Sequence, residues 1–173
     1  MSTVDVRAPV VPITLTVNGK KTTLPARAGA RLLDILREEG HLTGVKEGCG
    51  EGECGACSVL LDGEVACSCL LLAQTADGAS VVTVEGVAAR TGRAVHPVQA
   101  HLVREMGTQC GFCTPGMVLS GVALLEANPN PTRDEILDGL SGNLCRCTGY
   151  VRIVRAVERA RDEMLKAGER ELA

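Results

Sequence analysis

The residues of this sequence best suited to chemistry are nine cysteines, eight of which fall into two sets. The first set begins Cys49-x4-Cys54-x2-Cys57, and either Cys67 or Cys69 can supply a fourth thiolate. A C-x4-C-x2-C run with a distant fourth cysteine is the plant-type spacing of a 2Fe-2S cluster. In an extended segment Cys67 and Cys69 would face the same side, so spacing alone leaves the choice between them open. We therefore predict a 2Fe-2S site with one spare thiol.

Four glycines around these cysteines support that prediction. They are Gly48, Gly50, Gly52 and Gly55. Because glycine reaches positive φ angles, such a loop can wrap a cluster and turn backbone N–H groups toward its sulfurs. The stretch also matches the dinucleotide pattern G-x-G-x-x-G, but it lacks the preceding parallel strand and the following helix, so we treat the match as coincidence. A structural zinc site is the other alternative, although zinc cysteines usually come as C-x2–4-C pairs.

The second set consists of two short pairs, Cys110-x2-Cys113 and Cys145-x-Cys147. A threonine follows each pair and a predicted helix comes next, so the helix dipole and free N–H groups would favour a negatively charged centre. Taken alone, the four thiolates could form a structural zinc site. Beside a 2Fe-2S loop a second iron–sulfur centre is favoured, because thiolates suit both metals and two redox centres would form a relay.

The remaining sequence offers little other chemistry. His41, His96 and His101 lack the spacing of a metal-binding histidine motif, and neither a G-x-S-x-G elbow nor a Walker loop occurs. A net charge of −3 with one Phe, one Tyr and no Trp argues against nucleic-acid binding. We therefore predict no catalytic residues and no substrate site in this chain itself.

Short strands and one packed helix characterise the predicted first half. Ile13 to Val17 alternates apolar and polar residues, as a half-buried strand does. Asn18-Gly19 and Asp62-Gly63 are typical two-residue hairpin turns. The other predicted elements are strands over 20–24, 58–61, 64–66 and 81–84, and short helices over 32–40 and 70–73. The pattern predicts a small α+β unit.

A helical period begins after a glycine-containing linker. The predicted helices cover 97–106, 115–127, 132–140 and 150–165, the last with an apolar stripe of Ile153, Val157, Ala160 and Met164. Pro97 and Pro115 occupy first-turn positions, where a missing N–H costs nothing. Thr132 with Glu135 forms a capping box. We predict an all-helical bundle.

The N-terminal residues contain no basic region followed by an apolar one, no twin-arginine pair and no stretch long enough to span a membrane. We therefore expect a cytoplasmic protein without membrane contact. In that reducing compartment the cysteines should bind metal rather than form disulfides. The odd cysteine count and the one-residue gap between Cys145 and Cys147 agree with this expectation.

At these residues the chain resembles the small iron–sulfur subunit of the xanthine dehydrogenase (molybdenum hydroxylase) family. Four stretches carry the resemblance: GCGEGECGACSVLLDG (48–63), SCL (68–70), QCGFCTPGM (109–117) and GNLCRCTGY (142–150). The resemblance implies an α+β fold, with a β-grasp plant-type ferredoxin domain before an all-α four-helix bundle that binds a second 2Fe-2S cluster. The expected divisions are a flexible arm (1–12), the ferredoxin-like domain (13–85), a linker (86–95), the helical domain (96–165) and a charged tail (166–173).

The resemblance also implies the ligands. In the family the fourth ligand of the first cluster lies in a Ser-Cys-Leu context. Here that context assigns the fourth ligand to Cys69 and leaves Cys67 spare. The first cluster would be bound by Cys49, Cys54, Cys57 and Cys69, and the second by Cys110, Cys113, Cys145 and Cys147. Gln109 and Cys147 would lie near a molybdopterin, while the first cluster would face a flavin.

The function implied by the resemblance is electron transfer. A large subunit with molybdenum and molybdopterin cytosine dinucleotide would hydroxylate the substrate, and single electrons would pass through both clusters to FAD on a medium subunit. The expected assembly is a dimer of heterotrimers. Substrate, final acceptor and direction of electron flow depend on residues of other chains. The alternative is a free-standing ferredoxin-type shuttle, which would need only the first half.

Overall fold

A computed structural model describes residues 8–171 of the chain, and the side chains of residues 8–168. The fold is α+β, as predicted: a five-stranded sheet comes first and four helices follow. The strands are β1 (Val10–Val17), β2 (Lys20–Arg27), β3 (Ser58–Leu61), β4 (Glu64–Cys67) and β5 (Ser80–Val82). The helices of the second half are α2 (Pro97–Arg104), α3 (Thr114–Ala127), α4 (Arg133–Leu140) and α5 (Val151–Glu171).

Both predicted hairpin turns are confirmed. Asn18-Gly19 joins β1 to β2, and Asp62-Gly63 joins β3 to β4, with positive φ at all four residues as this turn type requires. Strand β1 begins at Val10, so residues 10–12, expected to belong to a flexible arm, pair with residues 25–27 of β2 instead. Residues 1–7 of that arm lie outside the described part of the chain.

The strand order is β2-β1-β5-β3-β4, and only the β1–β5 pair is parallel. One face of the sheet packs on the helix α1, Leu32–Asp34, which continues as a single π-helical turn, Ile35–Glu39. This segment confirms the predicted helix ending near Gly40 and buries Leu32, Leu33 and Leu36.

The helix predicted over 70–73 is wrong. Leu72 forms an isolated bridge with Arg31, and the carbonyl of Leu71 accepts the N–H of Leu32, so these backbone groups bond to the start of α1. A 3-10 turn, Ala73–Ala76, follows instead. Tertiary pairing overrides the local preference because these backbone groups cannot serve a helix at the same time.

Two capping boxes start helices in the second half. The box of Thr132 and Glu135 at α4 is confirmed, and His96 with Gln99 forms a second one at α2. The predicted stripe of α5 is buried at Ile153, Val157 and Ala160. This helix extends to Glu171, beyond the predicted end at 165, and so takes up most of the expected charged tail.

The first half has its own apolar core around α1, and the sheet also contributes to the core of the helical half. Leu60 and Val82 of the sheet are buried among the side chains of α2, α3 and α5. The segment between the halves, expected to be a linker, forms two 3-10 turns, and Arg90 within it makes a bidentate ion pair with Glu126 of α3. Among residues 8–171 no helix is both long and apolar enough to cross a membrane.

Candidate metal centres

The first cysteine set lies at the end of the sheet closest to α3. Cys49, Cys54 and Cys57 lie on the loop between α1 and β3, and Cys69 follows β4, which pairs with β3. The loop turns at three glycines, Gly50, Gly52 and Gly55, whose φ angles are 70°, 80° and 66°. Left-handed backbone at such closely spaced positions is the geometry that lets a loop curl around a bound group.

Backbone N–H groups of this loop point at its sulfurs. The N–H of Cys49 donates to Cys54 Sγ at 3.4 Å, and the N–H of Glu51 donates to Cys49 Sγ at 3.3 Å. Backbone hydrogen bonds, above all that from Glu51, lower the pKa of Cys49 to about 7. The loop therefore favours the thiolate, which is the form that binds metal.

Two glycines of this loop are required for different reasons. A Cβ at Gly48 would lie 2.7 Å from Cys54 Sγ, whereas Gly52 has a φ of 80°, which other residues rarely adopt. Any larger residue at Gly48 would displace a cysteine of the set. The donor set of thiols within a glycine loop therefore fits an iron–sulfur cluster.

The structure brings Cys67 as well as Cys69 to this site. Burial raises the pKa of Cys69 to about 11 and also raises the pKa values of Cys57 and Cys67, so these thiols carry protons until metal displaces them. Cys67 Sγ donates to the carbonyl of Gly52 at 3.5 Å, whereas Cys69 is the more deeply buried. Geometry by itself does not choose between them.

The second set forms where α3 and α5 begin. Cys110 and Cys113 lie just before α3, and Cys145 and Cys147 lie in the loop before α5. The sulfurs of Cys110 and Cys147 lie 3.6 Å apart, although these residues are 37 positions apart in the chain. Burial and then contact with Cys145 raise the pKa of Cys113 to about 12. The four cysteines thus meet as two pairs.

Threonine and tyrosine side chains position Cys145. Although burial raises the pKa of Cys145, hydrogen bonds from Thr148, whose Oγ1 lies 3.1 Å from the sulfur, lower it below its usual value. The N–H of Cys145 donates to the hydroxyl of Tyr150 at 2.8 Å. The role of Tyr150 was missed in the sequence, where its position in the GNLCRCTGY stretch was the only signal.

The two sets are joined by one backbone hydrogen bond. The N–H of Leu144, next to Cys145, donates to the carbonyl of Cys54 at 3.0 Å. Gln109, Cys110 and Cys147 are exposed at the second set. The arrangement offers an inner contact between the sets and an outer face open to a partner.

The structure bears on two alternative interpretations, a dinucleotide site and a site for a single metal ion. Gly55 leads into β3 rather than into a helix, so the G-x-G-x-x-G match is not a dinucleotide site. Within residues 8–168 no group of three or more His, Cys, Asp or Glu side chains is arranged to hold a single metal ion. A pairwise arrangement of thiols, such as Cys110 with Cys147, suits a centre of two irons that each take two thiolates.

Comparison with known families matches both halves of the chain. Residues 15–83 match the family described as "2Fe-2S iron-sulfur cluster binding domain", and residues 83–158 match the family described as "[2Fe-2S] binding domain". The division between the two matches falls just after β5, where the sheet ends.

Individual relatives cover most of the chain. It is 47% identical over 150 residues to the nicotinate dehydrogenase small FeS subunit of Eubacterium barkeri, covering 87% of this chain and 94% of the relative. It is 45% identical over 157 residues to a Bacillus subtilis (strain 168) protein named as one subunit of a "Probable xanthine dehydrogenase", covering 91% and 88%. The crystal structure of quinoline 2-oxidoreductase from Pseudomonas putida 86 contains a chain with a TM-score of 0.85 and 43% identity, covering 92% of this chain and 98% of that one.

Proposed function

The chain belongs to the small iron–sulfur subunits of the xanthine dehydrogenase (molybdenum hydroxylase) family, and we propose that it relays single electrons through two 2Fe-2S clusters between partner subunits. It is thus a subunit of an oxidoreductase, as the sequence predicted. One end of the relay would be the molybdopterin centre of a large subunit. The other end would be FAD on a medium subunit.

The hydrogen bond from Leu144 to Cys54 is the observation that carries the proposal, because it links two cysteine sets that would otherwise be separate sites. When bound, each cluster supplies a centre that gains or loses one electron. The chain itself turns N–H groups toward the sulfurs of the first set and buries Gly55 and Asn143 where the two loops meet. Positioning and local electrostatics are what a protein contributes to a bound cofactor.

We assign the ligands by the matched motifs. The first cluster takes Cys49, Cys54, Cys57 and Cys69, and the second takes Cys110, Cys113, Cys145 and Cys147. The Ser-Cys-Leu context and the deep burial of Cys69 support its choice over Cys67. The close approach of Cys110 to Cys147 supports the second set.

Exposed apolar side chains near the second cysteine set support an interface with a large partner subunit. Phe112, Leu144 and Val151 are 46%, 56% and 56% exposed, which is unusual for apolar side chains so close to one site. We propose that this rim packs on the large subunit, with Gln109 and Cys147 toward molybdopterin cytosine dinucleotide. A dimer of heterotrimers in the cytoplasm completes the proposal.

The finer fold assignment belongs to the same proposal. The mixed sheet packed on α1 supports a β-grasp ferredoxin-like domain, and the shared core of α2, α3, α4 and α5 supports a four-helix bundle domain. Relatives are named for nicotinate, xanthine and quinoline, so we infer that substrate choice resides in the other subunits.

Metal analysis and gel filtration of the natively purified protein test the function. We expect about four irons and four sulfides per chain, and co-elution with a molybdenum-containing and a flavin-containing chain. Zinc in place of iron would contradict the cluster assignment. A lone monomer without molybdenum would instead support the free-standing electron shuttle.

A further inference from the structure

The contact between the two cysteine loops contains a polar side chain that no cluster ligand explains. Asn143 is 3% exposed and lies between Gly55 of the first loop and Gly116 in the first turn of α3. Its Nδ2 donates to Ser120 Oγ at 2.6 Å, while its Oδ1 is the one buried side-chain oxygen or nitrogen without a partner among residues 8–168. Such an atom carries a desolvation cost and calls for an explanation.

The amide leaves no space for a side chain at either neighbouring glycine. A Cβ at Gly55 or at Gly116 would lie 2.5 Å from Asn143 Oδ1, and the one at Gly116 would also overlap the carbonyl of Gly55. Real Cβ atoms essentially never come so close to an oxygen. The two backbones and the amide therefore fit together only because both positions are glycine.

The amide also has a fixed plane. Its Nδ2 donates to Ser120 of α3, and its Oδ1 faces the two glycines. The next residue along the chain, Leu144, donates the hydrogen bond to Cys54 that joins the two sets. Asn143 thus ties three segments to one another: the first loop, the start of α3 that follows Cys113, and the loop that carries Cys145.

From this geometry we propose that Asn143 is a positioning residue, which holds the two cysteine loops in one register and thereby sets the electronic contact between the two centres. The inference rests on the proposed function in that both sites must hold clusters. It adds a residue that binds neither metal nor partner, yet fixes how far the two loops lie from each other.

The test replaces Asn143 with alanine in the natively purified, metal-loaded complex. We expect iron and sulfide to remain at the wild-type level, because no ligand is removed. The amide proton of Leu144 should exchange roughly fivefold faster, as expected when a hydrogen bond of about 1 kcal/mol loses its support. The splitting of the electron paramagnetic resonance signals by interaction between the two reduced clusters should diminish or vanish.

Three further variants make the result specific. Asn130→Ala, at an exposed asparagine of the α3–α4 loop, should match wild type in both measurements. Gly116→Ala should change both measurements in the same direction, because its methyl group would displace the Gly55 carbonyl as well as the amide. Ser120→Ala should have a smaller effect in the same direction. If Asn143→Ala does not accumulate, Ser120→Ala tests the inference in its place.

Wild-type exchange and wild-type splitting in Asn143→Ala, or in Ser120→Ala where only that variant accumulates, would overturn the inference. Wild-type protein with fewer than two clusters would instead overturn the proposed function. The two failures are distinguishable, because metal content is measured on wild type and amide exchange on the variant.

Discussion

The two cysteine sets differ in how the chain assembles them. Three cysteines of the first set lie on one glycine loop, and the fourth follows a strand paired directly with the strand that the loop enters. The second set joins two loops whose cysteines Cys110 and Cys147 are 37 positions apart, and only the packing of α3 and α5 brings them together. The first site is therefore local and the second is tertiary. The second should be the more sensitive to loss of packing.

The sets also differ in exposure. Cys57 and Cys69 are almost completely buried while Cys49 of the same set is exposed; in the second set no cysteine is fully buried, and Cys110 and Cys147 lie at the surface. Buried thiols keep their protons until metal binds, because burial raises the pKa values of both. The first set therefore reaches from the surface into the core, whereas the second set lies nearer the surface as a whole.

The largest expected effect separates the ligands from the spare thiol. Cys69→Ser should remove the first cluster and lower the iron content from about four to about two per chain, while the second cluster remains. Cys67→Ser is the matched control and should keep both clusters. Iron and sulfide analysis with electron paramagnetic resonance checks the pair of variants. Iron loss from Cys67→Ser would show that the ligand assignment is wrong.

A packing variant tests whether the second site is the more dependent on tertiary structure. Ile153→Ala on α5 removes a buried side chain and should lower the free energy of unfolding by about 2–5 kcal/mol. In a guanidinium titration the second cluster should then be lost before the first. Leu36→Ala, equally buried beneath the sheet, is the control and should not reproduce that order. Simultaneous loss of both clusters in Ile153→Ala would show that the second site does not depend more on tertiary packing than the first.

A capping variant should weaken the helical half without touching either site. Thr132 accepts the N–H of Glu135 and in return donates its own N–H to the Glu135 carboxylate at 2.7 Å. Thr132→Ala should cost about 1 kcal/mol of unfolding free energy and leave the iron content unchanged, because α4 carries no cysteine. Thr132→Ser should restore most of the loss. Iron loss in the alanine variant would mean that α4 supports the second cluster.

The smallest expected effect is a pH dependence at the start of α2. Burial lowers the pKa of His96; Glu126 opposes the shift, and Arg90 and Arg93 add to it. Neutral His96 accepts the N–H of Val98 through Nδ1, so its proton resides on Nε2. The unfolded histidine has the higher pKa. The stability that neutral His96 contributes to the folded protein is therefore complete above about pH 6.5 and is lost as the pH falls below that value.

The variant His96→Asn isolates that contribution. Asparagine can cap the helix but does not titrate near neutral pH. The difference in unfolding free energy between wild type and variant should therefore change between about pH 7.5 and about pH 5.5, with wild type losing more. A constant difference across that range would show that His96 does not titrate as proposed. Urea titrations at both pH values provide the measurement.

Local features of the fold could be predicted from the sequence with good accuracy. The hairpin turns at Asn18-Gly19 and Asp62-Gly63 and the capping box at Thr132 are confirmed. Each depends on residues that are close in the chain and on backbone preferences that act over a few positions. The helix predicted over 70–73 failed for the opposite reason, since its backbone groups pair with Arg31 and Leu32.

The sequence by itself determined the donor chemistry: which thiols exist, how they are spaced and which loops are rich in glycine. These properties follow from residue type and position alone. Only the tertiary structure decided that Cys110 meets Cys147, that Leu144 bonds to Cys54, and that Asn143 fills the space between two glycines. Such contacts join residues far apart in the chain, and they form because burying a shared apolar core forces the sheet and the helices together.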